Sequence, residues 1–202
     1  SSDVCSSDLM RARSPRPRRR VPRVTDDARA AVSTAGKSES AAAAAALPIA
    51  VVGAGSWGTA LAIQCARAGH PTRLWGRDAA QLAALARDRR NARYLPDAAF
   101  PDALAVTPSL VDALAGVRDL LVVVPSHALR ETLAHLKPHL PAGARIAWAT
   151  KGFELTTGLL PHQVAREVLG AGIPIAVLSG PTFAKEVGAG LPTAMTIASP
   201  DA

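Results

Sequence analysis

Aromatic residues are scarce in this sequence: they make up only 3% of its 202 residues, whereas 49% of the residues are hydrophobic. A core with so few rings must be built from Ala, Val, Leu and Ile, a composition typical of buried parallel strands flanked by Ala-rich helices. The length suffices for one well-buried domain with an extension. We therefore expect an α/β protein, and the composition argues against an all-β fold.

Cysteine and long hydrophobic runs are also rare. The two cysteines, Cys5 and Cys65, offer neither the spacing of a metal site nor a disulfide framework, so we expect a reduced, cytoplasmic protein without a metal. The longest apolar stretch, residues 41–55, contains Pro48 and runs into a glycine loop, so it falls short of the roughly 20 residues of a membrane helix. We interpret it as a linker followed by a strand and expect no membrane partner.

The positive charge is concentrated at the amino terminus. Residues 1–46 carry nine Lys or Arg against five acids, and seven of these basic residues lie within residues 11–23. The segment has no apolar period, so it cannot offset the entropy of ordering, and we predict disorder. Residues 1–9 precede Met10 and repeat one tripeptide, which indicates artefactual sequence. A transit peptide or a nucleic-acid-binding arm is the alternative to a dispensable extension, although we expect no nucleic-acid partner.

From residue 47 onward, strands and helices alternate. The pattern predicts strands at 48–52, 72–75, 120–124, 145–150, 175–178 and 193–198, and helices at 59–68, 79–90, 109–115, 128–136 and 161–169. Strands separated by helices imply parallel pairing with right-handed crossovers. We therefore predict that residues 47–202 form one domain with a doubly wound parallel sheet.

A glycine-rich motif follows the first predicted strand. Gly53-Ala54-Gly55-Ser56-Trp57-Gly58 fits G-x-G-x-x-G and opens a predicted helix, which is the context that gives this motif weight. Gly53 permits a tight turn, Gly55 lets the backbone approach a pyrophosphate, and Gly58 allows close packing of helix on strand. We therefore assign Gly53, Gly55, Ser56, Trp57 and Gly58 to the cofactor site of a Rossmann-type domain. A purely structural glycine loop is the alternative.

The second predicted strand ends in Trp75-Gly76-Arg77-Asp78. NAD-binding domains usually carry an acid here that holds the ribose 2′-hydroxyl, whereas this sequence has Gly76 followed by Arg77. An arginine suits a 2′-phosphate, so we predict that Arg77 favours NADPH over NADH. The alternative is that Arg77 is a solvated surface residue and that Asp78 caps the next helix.

Beyond this fingerprint, five blocks match one family: G-A-G-S-W-G-T-A-L-A (53–62), L-W-G-R-D (74–78), V-V-V-P-S-H (122–127), W-A-T-K-G (148–152) and S-G-P-T-F-A-K-E (179–186). Between about Ile49 and Ala198 the chain resembles the bacterial type of NAD(P)-dependent glycerol-3-phosphate dehydrogenase. The resemblance implies an oxidoreductase that interconverts sn-glycerol 3-phosphate and dihydroxyacetone phosphate by hydride transfer, for glycerophospholipid synthesis.

The resemblance also implies roles for single residues. Lys151 would contact both the nicotinamide and the substrate, and it follows an apolar strand at its carboxyl end, where ligands bind in open α/β sheets. Gly180 and Thr182 would bind substrate and Ala184 the cofactor, while Tyr94 lies in a family-like loop near the cofactor. Lys151 as a solvated lysine in a turn, and Tyr94 as an aromatic that closes the core, are the alternatives. Lys185 and Glu186 are interpreted as solvated or structural.

One element of the family is not found in this sequence. The family's general base is a second lysine, in a Gly-Gly-x-x-Lys-Asn block of the helical domain that follows, and no such block occurs up to the last residue, Ala202. The resemblance therefore implies that the base lysine lies beyond Ala202, in a carboxyl-terminal helical domain through which a homodimer would form. We expect no catalytic base in this chain.

Two other functions stay open at this point. One is another two-domain NADP-dependent dehydrogenase, against which the last two family blocks argue. The other is a non-catalytic nucleotide-binding module.

Overall fold

The structure is a computed structural model that describes residues 46–200. Its strands are β1 (Ile49–Val52), β2 (Thr72–Trp75), β3 (Arg90–Asn91), β4 (Leu95–Ala99), β5 (Leu104–Val106), β6 (Asp119–Val122), β7 (Arg145–Trp148), β8 (Ile175–Ser179) and β9 (Thr196–Ala198). Its helices are α1 (Ser56–Arg67), α2 (Ala79–Asp88), α3 (Leu110–Leu114), α4 (Ser126–Leu136), α5 (Pro161–Leu169) and α6 (Ala184–Ala189), with a 3-10 turn at Lys137–His139.

Two sets of predictions lie outside the described residues. The first concerns residues 1–45, with the predicted disorder and the artefactual start. The second concerns the chain end at Ala202, beyond which the family's base lysine is expected. Both therefore stay predictions.

Seven of the described strands form one sheet, in the order β5-β2-β1-β6-β7-β8-β9. All neighbours pair in parallel except β8 and β9, which are antiparallel. The strand order reverses between β1 and β6, so the crevice for a ligand lies at the carboxyl ends of these two strands. The predicted doubly wound sheet is confirmed, with one antiparallel strand at its edge.

The reversal of β9 follows from the short helix before it. The six residues of α6 rise about 9 Å, which is less than the roughly 16 Å spanned by the five residues of β8. Moreover, α6 packs against α1 and β4, so it does not carry the chain back to the amino-terminal edge of the sheet. The chain re-enters the sheet from its carboxyl-terminal edge, with Thr196 beside Ser179.

Alternate residues of the central strands pack into two hydrophobic cores, one on each face of the sheet. In β1, Ala50 and Val52 pack with residues of α3, α4 and α5, whereas Val51 packs with residues of α1 and α2 on the other face. In β6, Leu120 and Leu121 divide in the same way. Because both faces are covered, these strands are apolar apart from Asp119 at the start of β6, as their sequences predict.

Several element predictions need correction. The strand predicted at 145–150 ends at Trp148, and the strand predicted at 193–198 begins only at Thr196. The helix predicted at 79–90 ends at Asp88, because Arg89 adopts a left-handed φ of +50° and donates to the carbonyl oxygens of Leu104 and Pro101. The segment between the helices predicted at 79–90 and 109–115, for which no strand is predicted, contains the antiparallel pair of β3 and β4 and also the strand β5. The strand predicted at 120–124 begins and ends earlier, at Asp119–Val122.

Neither a membrane-spanning helix nor a cluster of potential metal ligands is found among the described residues. Within residues 46–200, no helix has both the length and the apolar character needed to cross a membrane. In the same residues, no three His, Cys, Asp or Glu side chains converge as a set that could hold a metal ion.

Candidate nucleotide-binding site

The three motif glycines differ in what surrounds them. Gly53 adopts φ of +120°, and a Cβ added to it would lie 2.2 Å from the carbonyl oxygen of Val123. A Cβ on Gly58 would lie 1.9 Å from the carbonyl oxygen of Gly53, so both positions require glycine for the fold itself. A Cβ on the exposed Gly55 would meet no atom within 4 Å, so the space in front of this residue is free.

The amino terminus of α1 opens onto that free space. Gly55 occupies the N-cap position in an extended conformation, and no side chain accepts a hydrogen bond from the helix start. The first N–H groups of a helix have no acceptor within the helix, and the helix dipole makes its amino terminus partly positive. The half-buried Ser56 and Trp57, the first two residues of α1, therefore border a site suited to an anion.

Two side-chain amides fix the glycine loop by donating hydrogen bonds to the carbonyl oxygen of Ala54. The Asn91 amide, in a residue only 1% exposed, donates to the Ala54 carbonyl oxygen at 3.3 Å and to Thr59 Oγ1 at 2.8 Å. The Gln81 amide donates to the same Ala54 oxygen at 3.0 Å. Because a trans peptide points its C=O and N–H in opposite directions, fixing the Ala54 oxygen also fixes the direction of the Gly55 N–H. Sequence reasoning missed both amides, because the contacts span 37 and 27 residues.

The end of β2 lies beside this loop. A Cβ on Gly76 would stand 3.1 Å from the Cβ of Ala54, so there is little room for a side chain at that position. Asp78 caps α2 by accepting from the Gln81 N–H at 3.0 Å. Arg77 points to solvent, with its side chain 64% exposed, and its Nη1 lies 3.2 Å from Oε2 of Glu131 on α4.

Lys151 lies in the loop that follows β7, and its side chain is exposed. Its neighbour Thr150 is buried and donates to the carbonyl oxygen of Val124, two residues beyond the end of the adjacent strand β6, at 2.8 Å. Gly152 adopts a left-handed φ of +91°. Together these features turn the chain sharply at the carboxyl edge of the sheet, with the ammonium group accessible.

An ionic cluster anchors the far end of the Lys151 loop. Glu154 is 8% exposed and accepts two hydrogen bonds from Arg130 of α4, at 2.8 and 2.9 Å. The Thr157 hydroxyl also donates to Glu154, and Arg130 reaches Glu167 at 2.7 Å. The bidentate Arg130 contact, followed by the Thr157 hydroxyl, lowers the pKa of Glu154 to about 2. Nothing in the local pattern predicts this cluster, since Arg130 and Glu154 are 24 residues apart.

The chain after β8 carries the remaining predicted site residues. A Cβ on Gly180 would lie 2.7 Å from the carbonyl oxygen of Ala194, so glycine is required there by close packing of the backbone. Thr182 is half-buried, and its Oγ1 atom is shielded from solvent without a hydrogen-bond partner among the described residues. Ala184 is the first residue of α6 and packs on the core cluster shared with Trp57 and Tyr94.

Tyr94 is half-buried against that cluster, and the Arg93 guanidinium lies 5.1 Å from the centre of its ring. Its position agrees with the alternative that the ring closes the core. A role of Tyr94 at the cofactor stays a prediction.

Strand register brings most of the predicted residues to one edge. Trp75, Val52, Val122, Trp148 and Val177 are partners in consecutive parallel pairs and so form one row across the sheet. Gly53, Arg77, Lys151 and Gly180 follow this row by one to three residues. The predicted cofactor and substrate residues therefore share the carboxyl edge.

Comparison with known proteins agrees with this geometry. Residues 48–202 match the family model described as the NAD-dependent glycerol-3-phosphate dehydrogenase N-terminus. An NAD(P)+ glycerol-3-phosphate dehydrogenase of Xanthomonas campestris pv. campestris (strain B100) is 59% identical over 154 residues, which is 76% of this chain and 45% of that protein. One of Yersinia pestis (strain Pestoides F) is 60% identical over 153 residues, with the same shares covered. The chain thus spans about half the length of these curated relatives.

Solved structures give the same result. The crystal structure of glycerol-3-phosphate dehydrogenase from Coxiella burnetii superposes with a TM-score of 0.73 at 45% identity, covering 77% of this chain and 47% of that one. The yeast enzyme superposes with a TM-score of 0.67 at 27% identity, covering 76% of this chain and 47% of that one. Because the family match covers well over half of the sequence, this chain belongs to the NAD-dependent glycerol-3-phosphate dehydrogenase family, and residues 48–202 correspond to the amino-terminal domain of its members.

Proposed function

We propose that this chain is the nucleotide-binding part of an NAD(P)-dependent glycerol-3-phosphate dehydrogenase. The complete enzyme would interconvert sn-glycerol 3-phosphate and dihydroxyacetone phosphate by hydride transfer, for glycerophospholipid synthesis. The observation that carries the proposal is the open, uncapped glycine loop at the same sheet edge as Lys151. The names of the relatives in Xanthomonas and Yersinia support the choice of reaction.

The residues present fit a dinucleotide. Gly53 and Gly58 shape the loop, Gly55 leaves the space that a pyrophosphate needs, and Ser56 and Trp57 border it with free helix N–H groups. When bound, the nicotinamide nucleotide supplies the hydride or accepts it. This chain's residues bind the nucleotide, orient it along the carboxyl edge and cover one side of the reacting centre.

We infer a preference for NADPH from Arg77, because Gly76 stands where an acid would hold the NAD ribose. Replacing Arg77 by Ser should weaken NADPH binding by about 1.5 kcal/mol, roughly tenfold, and leave NADH binding unchanged. The estimate is at the low end for a charged hydrogen bond because the Arg77 side chain is 64% exposed. Affinities from fluorescence titration provide the measurement, and an unchanged ratio of the two affinities would show that Arg77 serves only the surface.

At the substrate end, Lys151 and Thr182 supply donors. The exposed Lys151 ammonium can hold a phosphorylated triose or stabilise negative charge on its reacting oxygen. The Thr182 hydroxyl has no partner within residues 46–200, which fits a group that donates to a ligand. Gly180 lies two residues before Thr182 at the same sheet edge, although its packing on Ala194 is by itself sufficient reason for a glycine.

The test is NADPH oxidation with dihydroxyacetone phosphate. We compare the 202-residue chain with the same chain joined, after Ala202, to the remaining half of the Xanthomonas relative. We expect turnover only in the longer protein, because a missing general base removes a factor of about 10² to 10⁴ and an incomplete cleft loses substrate positioning.

In the longer protein, Lys151→Ala should abolish most activity, whereas Lys185→Ala, on the exposed surface of α6, should leave it unchanged. Full activity of the Lys151→Ala protein would remove this lysine from the site. Equal turnover by the short chain would contradict the placement of the base lysine beyond Ala202. A homodimer through the helical domain and a cytoplasmic location stay predictions.

A further inference from the structure

An ion pair joins Arg77, at the end of β2, to Glu131 on α4. Arg77 Nη1 lies 3.2 Å from Glu131 Oε2, and the two side chains are 64% and 75% exposed. Both residues line a cavity of about 490 Å³, together with Trp75, Thr132 and His135. The pair therefore faces open space at the end of β2, where the adjacent Gly76 packs on Ala54 of the glycine loop.

The fold gains little from this pair. It consists of a single contact between long, solvated side chains, and neither side chain forms another hydrogen bond within residues 46–200. Exposed pairs of this kind contribute little to stability. The Arg130 cluster differs, because three hydrogen bonds to two carboxylates tie that guanidinium to a buried partner. Glu131 therefore matters chiefly through the negative charge that its carboxylate places beside the Arg77 guanidinium.

We infer that Glu131 is a specificity-determining residue, whose carboxylate competes with the 2′-phosphate of NADPH for the Arg77 guanidinium. The inference rests on the proposed function, in which Arg77 meets that phosphate. A phosphate bound to Arg77 must displace the carboxylate or lie next to it, and like charges a few ångströms apart repel. NADH carries an uncharged hydroxyl at this position and is insensitive to the competition. Glu131 thus reduces the preference for NADPH over NADH, so that NADH can also serve as cofactor.

The experiment measures dissociation constants for NADPH and NADH by fluorescence titration at low ionic strength, using the whole 202-residue chain. Four variants are compared with the unchanged protein: Glu131→Gln, Arg77→Ser, the double variant and Asp102→Asn. Glutamine keeps the shape of Glu131 and removes its charge. Asp102 is a matched control, because it is exposed and precedes β5 at the opposite, amino-terminal edge of the sheet.

We expect Glu131→Gln to lower the dissociation constant for NADPH about three- to tenfold and to change that for NADH by less than about twofold. The gain should shrink in the Arg77→Ser background and at high salt, because the contact that it relieves is absent or screened. Asp102→Asn should leave the ratio of the two constants unchanged.

Three results would overturn the inference: an unchanged ratio in Glu131→Gln, weaker NADPH binding in that variant, or an equal gain without Arg77. Weaker binding would mean that Glu131 holds Arg77 ready for the phosphate. Failure of the proposed function is distinguishable from these results, because the unchanged protein would then bind neither nucleotide.

Discussion

At the scale of single residues, the glycine loop depends on a side chain outside the motif. The buried Asn91 amide links the Ala54 carbonyl oxygen to the Thr59 hydroxyl, and so ties the loop to the first turns of α1. This arrangement fixes the peptide that joins Ala54 to Gly55, where a ligand phosphate would approach. Asn91 therefore contributes both to the stability of the fold and to the geometry of the nucleotide-binding loop.

Replacing Asn91 by Ala should lower the free energy of unfolding by about 1 to 3 kcal/mol, because two buried oxygens lose a donor. Nucleotide affinity should fall as well, since the loop is no longer held. Gln81→Ala is the matched control: Gln81 is half-buried and donates only to the Ala54 oxygen, so the loss should be smaller. Urea denaturation provides the measurement, and equal stabilities of the Asn91→Ala and unchanged proteins would contradict this account.

At the scale of elements, the loop after β7 is fixed at both ends. Thr150 donates to Val124, just beyond the end of β6, and Glu154 accepts from Arg130 of α4. Lys151 lies between these anchors, so its backbone position is set before any ligand arrives. Positioning of this kind lowers the entropy lost on binding.

Because Arg130 binds the ionised form of Glu154, the folded chain should lose stability at acid pH. The pKa of Glu154 is lowered to about 2 in the folded chain. The ionised carboxylate therefore contributes fully to the free energy of unfolding above the ordinary glutamate pKa, and this contribution is lost as the pH falls toward 2. We expect Glu154→Gln to unfold at a lower temperature than the unchanged protein at pH 7. The difference should narrow between about pH 5 and pH 2.

The control for this prediction is Glu167→Gln, because Glu167 binds the same Arg130 from a more exposed position. Its effect on the unfolding temperature at pH 7 should be smaller. A difference for Glu154→Gln that stays constant from pH 7 to pH 2 would show that the carboxylate is not the source of the stability.

The sequence predicts the buried apolar strands well, whereas it does not predict the strands that are polar or very short. β1, β6 and β7 are buried on both faces, so their apolar runs are visible without any partner. β4 reads Leu-Pro-Asp-Ala-Ala and β5 has three residues, so neither has enough apolar pattern to be distinguished from loop. The glycine motif is local and could be found, whereas the contacts of Asn91, Glu131 and Glu154 depend on distant residues that only the fold brings together.

At the scale of the whole molecule, the amino-terminal segment 1–46 is predicted to add nothing to the domain, because it has no apolar periodicity. Deleting it should move the thermal unfolding midpoint of the remainder by no more than about 2 to 4 °C, the shift expected for 1 kcal/mol in a domain of this size. Differential scanning calorimetry of the two proteins tests this. A larger drop would mean that the segment packs on the domain.

We assign the free space in front of Gly55 to the nucleotide of the proposed function. Gly55 has φ of −75°, which alanine adopts without strain, and an added Cβ would meet no protein atom within 4 Å. Gly55→Ala should therefore keep the free energy of unfolding within about 1 kcal/mol of the unchanged protein, or raise it. Gly58→Ala, whose Cβ would lie 1.9 Å from the Gly53 oxygen, should be severely destabilised and serves as the contrast.

The decisive measurement is the NADPH affinity of the Gly55→Ala protein by titration calorimetry, with its stability measured in parallel. We expect an unchanged fold and an NADPH affinity that falls at least about tenfold, equivalent to 1.4 kcal/mol, because the methyl group occupies space required by the pyrophosphate. A stable Gly55→Ala protein that binds NADPH as tightly as the unchanged chain would show that the space in front of Gly55 does not hold the nucleotide.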